Sequence, residues 1–176
     1  MPSTYRFPSA RNEWSICQMI LPRIYVETTI PSYLTARRSR DLQLAADQQA
    51  TEDWWNEHRQ HYECFVSPVV ADEVSRGDAA FAGARMEKLA GLTVLPVNEA
   101  AMDLTARLLR DGIIPSIAAD DAAHLGVAAA HAMDFLLTWN CKHINNPHLI
   151  RRIERACSIV GLGCPIICTP SELMIP

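Results

Sequence analysis

The pattern of apolar and polar positions along the chain predicts strands that alternate with helices. Short runs of β-branched and aromatic residues, typical of buried strands, occur at 24–26, 62–66, 92–97, 135–138 and 165–168. Longer stretches with apolar residues at helical spacing lie between these runs, at 41–61, 68–90 with an interruption at 77–78, 99–111, 116–132 and 147–159. Because such alternation builds βαβ units, we predict an α/β protein of three α/β/α layers with a short, mostly parallel sheet of four or five strands.

Residues at the predicted boundaries support these elements. Thr28 and Thr29 can cap the helix after the first strand, and Ser67 can cap the helix that begins with Pro68. Residues 1–20 have no clear hydrophobic period and contain two prolines, so we predict a poorly ordered N-terminal extension. A chain of 176 residues then leaves one domain, at 21–176.

Composition limits the partners and the cellular compartment that we expect for this protein. The net charge of −4 argues against an electrostatic grip on nucleic acid by the whole surface, although it is compatible with a local basic rim. No apolar run reaches the ~18 residues of a membrane span, and the N-terminus lacks the apolar segment of a secretory signal. The six cysteines form no CxxC pair, which favours free thiols in a reducing compartment. We therefore expect a cytoplasmic protein with no membrane partner.

Acid and amide side chains stand where the predicted strands end or helices begin. Glu27 ends the first strand, Glu73 lies in the first turns of the helix after the second, and Asn140 follows the fourth strand. Asp121, preceded by Asp120 as a possible reserve ligand, lies near the start of the alanine-rich helix. The carboxyl ends of parallel strands share one edge, so we expect these side chains to converge in one cleft. Carboxylates gathered there repel one another unless a cation such as Mg2+ or Mn2+ holds them.

Each of these positions also has a simpler explanation when taken alone. Asp120 or Asp121 can serve the dipole or cap of a helix, and Glu73 can lie on a solvated helix face. Glu27 is harder to explain in this way, because a carboxylate directly after a buried strand needs a partner. His124 lies three residues after Asp121 on the same helical face, where it can support the cluster or be an ordinary core histidine.

Basic side chains and thiols near the predicted cleft leave further alternatives open. Arg37 and Arg38, in a basic run with Arg40, form either a solvated turn or a rim that guides phosphates, and Lys142 can take the second role. A zinc site is a weaker hypothesis, because the candidate ligands match no familiar zinc spacing: Cys141, His143, His148, Cys164 and Cys168.

Four segments resemble, in order, the motifs of PIN domains: residues 25–33 (YVETTIPSY), 67–74 (SPVVADEV), 121–128 (DAAHLGVA) and 135–140 (FLLTWN). The resemblance is strongest to the VapC-like toxins of type II toxin–antitoxin pairs. It implies a metal-dependent endoribonuclease that cleaves single-stranded regions of RNA with Mg2+ or Mn2+. It assigns catalytic and metal-binding roles to Glu27, Glu73, Asp121 and Asn140, and we expect Thr29, Thr138 and His124 to support them. It also implies a small antitoxin partner and a homodimer, for which we expect exposed apolar residues in 41–61 to form the contact.

Two positions depart from the PIN pattern. Glu27 and Asn140 stand where the family usually has Asp, so one carboxylate is longer by a methylene and one charge is missing. Fewer anionic ligands weaken divalent metal binding. The alternative hypothesis is therefore a catalytically weakened PIN-like module that binds RNA or a protein partner. A phosphatase- or nucleotidase-like hydrolase is a third hypothesis, disfavoured because the first strand carries no DxDx-type motif.

Overall fold

The computed structural model describes residues 21–174, so the predicted extension at 1–20 lies outside the described residues. The sheet is parallel throughout, and its five strands lie in the order β3-β2-β1-β4-β5. The strands are β1 (Arg23–Val26), β2 (Glu63–Val66), β3 (Thr93–Val94), β4 (Phe135–Leu137) and β5 (Ile166–Cys168). The predicted number of strands and their parallel direction are both confirmed.

Seven α-helices in this part of the chain cover the sheet on both faces. The connections that lead outward from β1 to β2 and β3 contain α1 to α4, and those that return to β4 and β5 contain α5 to α7. Because parallel crossovers are right-handed, the two groups lie on opposite faces, and the three-layer α/β/α fold is confirmed. The helices are α1 (Thr29–Thr35), α2 (Leu42–Asp53), α3 (Pro68–Val74), α4 (Ala79–Leu89), α5 (Glu99–Arg110), α6 (Ala119–Ala130) and α7 (Pro147–Ile159).

Two elements differ from their prediction. In the stretch at 41–61, the α-helix ends at Asp53. The chain continues as one π-helical turn, in which Trp54 is fully buried, and then as a short 3-10 turn. The third strand was expected at 92–97 but covers only Thr93–Val94. Leu95 still donates its N–H to the Val66 carbonyl at 2.8 Å, and Pro96, whose ring fixes its backbone φ, follows directly.

Close packing of α5 against α6 fixes the helix that carries Asp121 and His124. Gly126 of α6 faces α5, and a Cβ atom at this position would lie 2.5 Å from the Ala101 carbonyl oxygen and would also clash with the Thr105 side chain. The alanine-rich sequence therefore brings the helix backbones together, and α6 has little freedom to shift. Within residues 21–174, no helix has both the length and the apolar character needed to cross a membrane.

Candidate metal centre

Glu27 follows β1 at the point where the chain order reverses, between β1 and its neighbour β4. One carboxylate oxygen, Oε2, accepts hydrogen bonds from the Thr29 N–H at 3.0 Å, the Thr29 hydroxyl and the Thr138 hydroxyl at 2.7 Å. The other, Oε1, accepts none from any described residue and lies 4.0 Å from the Nε2 atom of His124. The side chain is only 4% exposed. The carboxylate is thus fixed through Oε2, while Oε1 accepts no hydrogen bond from a described residue.

Glu73, in α3, places its carboxylate beside His124 as well. Its Oε2 accepts a hydrogen bond from the Thr28 hydroxyl at 2.6 Å and lies 2.7 Å from the His124 Nε2 atom. Burial alone would raise the pKa of Glu73, but the hydrogen bonds from His124 and Thr28 outweigh it and the pKa is lowered. Glu73 is therefore a carboxylate at neutral pH.

His124 lies between Glu73 and a buried pair of hydroxyl groups. Its ring is fully buried, and its Nδ1 atom is 2.8 Å from the Tyr25 hydroxyl, which in turn lies 2.6 Å from the Ser67 hydroxyl. Burial lowers the pKa of His124, but the hydrogen bond to Glu73 and the negative charges of Glu27 and Glu73 outweigh it, so the pKa is raised. Burial raises the pKa of Tyr25, which keeps its hydroxyl protonated. We call Glu27, Glu73 and His124 the buried cluster.

Two predicted helix caps are wrong, because their hydroxyl groups bond to other side chains near the buried cluster. Thr28 and Ser67 occupy the N-cap positions of α1 and α3, but neither side chain caps its helix. Their hydroxyls bond instead to Glu73 and Tyr25, which are distant in sequence. Sequence alone does not reveal these contacts, because a Thr or Ser that caps a helix cannot be distinguished from one whose hydroxyl bonds to a distant side chain.

Asp121 and Asn140 form a second group, whose side chains bond to His143 rather than to the buried cluster. The Asp121 Oδ2 atom lies 2.7 Å from the Nδ1 atom of His143, and the Asn140 Oδ1 atom accepts from the His143 N–H at 3.1 Å. We call Asp121 and His143 the cleft pair. The hydroxyl of Thr138 connects the two groups, since it donates to Glu27 and accepts from the Asn140 N–H at 2.9 Å. The pairing of His143 with Asp121 is not predicted by the sequence, in which His143 is a candidate ligand for zinc alone.

The cleft pair lines an open cleft of about 420 Å³ that also reaches Glu73. Asp120 stands at this cleft in a salt bridge with Arg76, whose Nη1 atom is 2.7 Å from the carboxylate. Lys142 is exposed and lines the same space. The cleft therefore combines carboxylates with two cationic side chains, of which Arg76 was not anticipated.

The two arginines expected to guide RNA lie beyond the residues that line this cleft. The Arg38 guanidinium donates to Gln49 at 2.6 Å and forms a salt bridge with Glu52 at 2.9 Å, so its charge is already paired with α2. Arg37 is exposed, and its carbonyl oxygen accepts a hydrogen bond from the Gln48 side chain at 3.1 Å. Of the three predicted RNA-guiding residues, the structure places Lys142 at the cleft.

The ligand atoms of the buried cluster fit a divalent cation. The carboxylate oxygens of Glu27 and Glu73 and a ring nitrogen of His124 all lie within 4.8 Å of one another. Among residues 21–174, no other group of three His, Cys, Asp or Glu side chains has this spacing, so the alternative zinc site does not form there. The described cysteines are free, and burial raises the pKa of Cys64 to about 11, as expected for an inert thiol.

A solved structure of similar fold is known. The chain is similar to a chain in the crystal structure of VapBC2 from Rickettsia felis bound to a DNA fragment from their promoter, with a TM-score of 0.53 and 14% sequence identity. The alignment covers 84% of this chain and 98% of that chain. No protein-family model matches the sequence, and no curated protein matches it. At this identity the likeness establishes the fold alone, and that fold is the PIN-like three-layer architecture that the sequence motifs imply.

Proposed function

We propose that the chain is a metal-dependent nuclease of the PIN type, an endoribonuclease that cleaves single-stranded regions of RNA with Mg2+ or Mn2+. The observation that carries the proposal is that Glu27 Oε1, on a side chain only 4% exposed, accepts no hydrogen bond from a described residue and lies beside the other ligand atoms of the buried cluster. An unpaired charged oxygen is costly to bury, and a divalent cation removes that cost. The structural likeness to a chain of the VapBC2 complex supports the same class of protein.

The proposed chemistry assigns a separate task to each side chain. Glu27 and Glu73 hold the ion, and the hydroxyls of Thr29 and Thr138 keep the Glu27 carboxylate in place. When bound, a divalent ion polarises a phosphodiester and lowers the pKa of a coordinated water. Asp121, which lines the cleft, orients the attacking water.

Charge decides how the substrate approaches. Glu73, Asp120 and Asp121 all line the cleft and repel a phosphate until a cation is bound. Arg76 and Lys142 line the same cleft, where each can attract a phosphate group of the RNA backbone. Arg76 does so only by sharing its guanidinium with Asp120, whereas Lys142 is exposed. RNA binding at this cleft should therefore require the metal and weaken with added salt.

One experiment tests the proposed activity directly. Labelled single-stranded RNAs of varied sequence are incubated with Mn2+, with Mg2+ or with a chelator, and single-stranded DNA and a phosphomonoester serve as parallel substrates. Endonucleolytic cleavage of RNA that disappears in chelator is the expected result. Hydrolysis of the phosphomonoester without RNA cleavage would instead favour the phosphatase-like hypothesis.

Asn140 favours a second candidate, a catalytically weakened module that binds RNA or a protein partner. Its side chain brings no charge, and its Oδ1 atom is already engaged with the His143 N–H. This candidate predicts RNA or protein binding with no cleavage at any Mn2+ concentration, which the same RNA panel would detect.

We also propose a small antitoxin as a partner and a homodimer as the assembly. In the expected contact region at 41–61, Leu42 is 88% exposed and Leu44 is more than one third exposed, while Trp54 is fully buried and unavailable. Light scattering should show a dimer that Leu42→Glu weakens, because the substitution places a charge on the apolar contact. A strict monomer at high concentration would exclude the homodimer.

A further inference from the structure

The geometry points to His124 as a metal ligand in its own right, so that the site selects ions such as Mn2+ and Co2+ over Mg2+. This inference rests on the metal site of the proposed function. The Nε2 atom of His124 is 2.7 Å from Glu73 Oε2 and 4.0 Å from Glu27 Oε1. Ligands of one ion at ~2.1 Å lie ~3 to ~4.2 Å apart, so both separations are close to those of a shared ion.

An independent observation shows where an ion would lie. The side chain of Glu27 is 96% buried, yet its Oε1 atom receives no hydrogen bond from the described residues, although Oε2 receives three. The oxygen that lacks a donor is the one nearest to His124. A carboxylate held by one oxygen, with the second aimed at a nitrogen ligand, is already oriented to bind an ion that also contacts this nitrogen.

The hydroxyl pair behind the ring allows His124 to present a free lone pair. In the neutral ring, Nε2–H donates to Glu73 while Nδ1 accepts from Tyr25. Binding of an ion requires the proton to leave Nε2, and the other tautomer holds it on Nδ1. The Tyr25 hydroxyl then accepts from Nδ1–H and donates to the Ser67 hydroxyl, which lies 2.6 Å away. His124 Nδ1 and the Tyr25 hydroxyl therefore stay hydrogen-bonded in both tautomers, and in the ligand tautomer the Ser67 hydroxyl changes from donor to acceptor.

Ligand chemistry then determines the choice of metal. Carboxylate and water ligands suit Mg2+, whereas imidazole suits later first-row ions, whose affinity rises from Mn2+ towards Co2+. A set of two carboxylates and one imidazole should thus bind Co2+ more tightly than Mn2+, and Mn2+ more tightly than Mg2+. An ordinary core histidine would give no nitrogen contact to the ion and a weaker preference, because oxygen ligands alone follow the same order less steeply.

Pulsed electron paramagnetic resonance of Mn2+ bound to the wild-type protein tests the inference without any variant. Electron spin echo envelope modulation detects a coordinated imidazole as coupling to its 14N nucleus, and we expect that coupling. Bound Mn2+ without 14N coupling would overturn the inference and leave the proposed function intact. Absence of stoichiometric Mn2+ binding, measured by calorimetry in the same samples, would overturn the metal site and the inference together.

Replacement of the His124 side chain provides a second test of the inference. We expect His124→Gln to weaken Co2+ binding by about tenfold or more, to remove the 14N coupling and to change Mg2+ binding little. His148→Gln is the matched control, because His148 is exposed and its ring makes no hydrogen bond to a described residue. Equal losses of Co2+ and Mg2+ affinity in a folded His124→Gln protein would assign His124 a positioning role and overturn its role as a ligand.

Discussion

The buried cluster and the cleft pair both combine carboxylates with imidazole, but they differ in their access to water. Glu27 and His124 have almost no exposed surface, whereas Asp121 and His143 line an open cleft. A carboxylate in the cleft can complete its hydrogen bonds with water, so an oxygen there without a protein partner carries little information. In the buried cluster, where Glu27 has little access to water, an oxygen without a hydrogen-bond donor is more costly and supports the proposed ion. We therefore propose that the ion lies at the buried cluster and the attacking water at the cleft pair.

The largest expected effect comes from removing the buried charge. Glu27→Gln should weaken Mn2+ binding by about tenfold or more and reduce RNA cleavage to background, because the neutral amide is a poor ligand for a divalent ion. Calorimetry and the cleavage assay measure the two effects. Glu87→Gln is the matched control, since Glu87 is exposed and its carboxylate forms no salt bridge with a described residue. Unchanged Mn2+ affinity in Glu27→Gln would show that the ion lies elsewhere.

Asp121→Asn should separate the two regions. We expect cleavage to fall by about a hundredfold, as for loss of a group that orients the nucleophile, while Mn2+ affinity falls less than in Glu27→Gln. Stability should change little, because Asn still accepts a hydrogen bond from His143 and a like-charge repulsion is relieved. Asp103→Asn, at an exposed position on α5, controls for the change of charge. Cleavage at the wild-type rate would contradict the role assigned to Asp121.

Gly126→Ala should damage both regions together, because α6 carries Asp121 and His124. The added methyl group would overlap the Ala101 carbonyl, and overpacking of this kind costs about 1–3 kcal/mol. Urea unfolding measures the loss. The control is Gly83→Ala in α4, where a Cβ meets no atom within 4 Å and the helix should gain stability. Equal stability of Gly126→Ala and wild type would contradict the close contact between α5 and α6.

Asn140→Asp should have the smallest effect. Asp retains the hydrogen bond from the His143 N–H and adds a charge near the proposed ion, so Mn2+ binding should tighten by a few-fold. Calorimetry at low and high salt measures the gain, which screening should reduce if the charge acts through solvent. Asn56→Asp, at an exposed position in the π-helical turn, controls for the net charge. Weaker Mn2+ binding in Asn140→Asp would show that the added charge is not directed towards the ion.

Local interactions explain how much of the fold could be predicted from sequence. Asn98 accepts from the Ala101 N–H and Asn146 from the His148 N–H, so each cap lies within three residues of its donor and the predicted starts of α5 and α7 were correct. The shift to a π-helical turn at Trp54 was not predictable, because it depends on burial of the indole against Tyr62, with ring centroids 5.7 Å apart.

The candidate site could be predicted from sequence only in part, because some of its contacts join residues that are far apart along the chain. The position of Glu27 and Glu73 at one sheet edge follows from strand order, and the structure brings these two carboxylates together. The ligand role that we propose for His124 depends on contacts with Tyr25 and Glu73, which are 99 and 51 residues away in sequence. A histidine on an apolar helix face gives no sign of such partners until the sheet and helices are assembled.

An anomalous diffraction map from crystals soaked in Mn2+ tests the central claim most directly. The account predicts one strong manganese peak within bonding distance of Glu27 Oε1, Glu73 Oε2 and His124 Nε2. A peak bound only by Asp120 or Asp121 in the open cleft, with Glu27 and His124 uncoordinated, would contradict it.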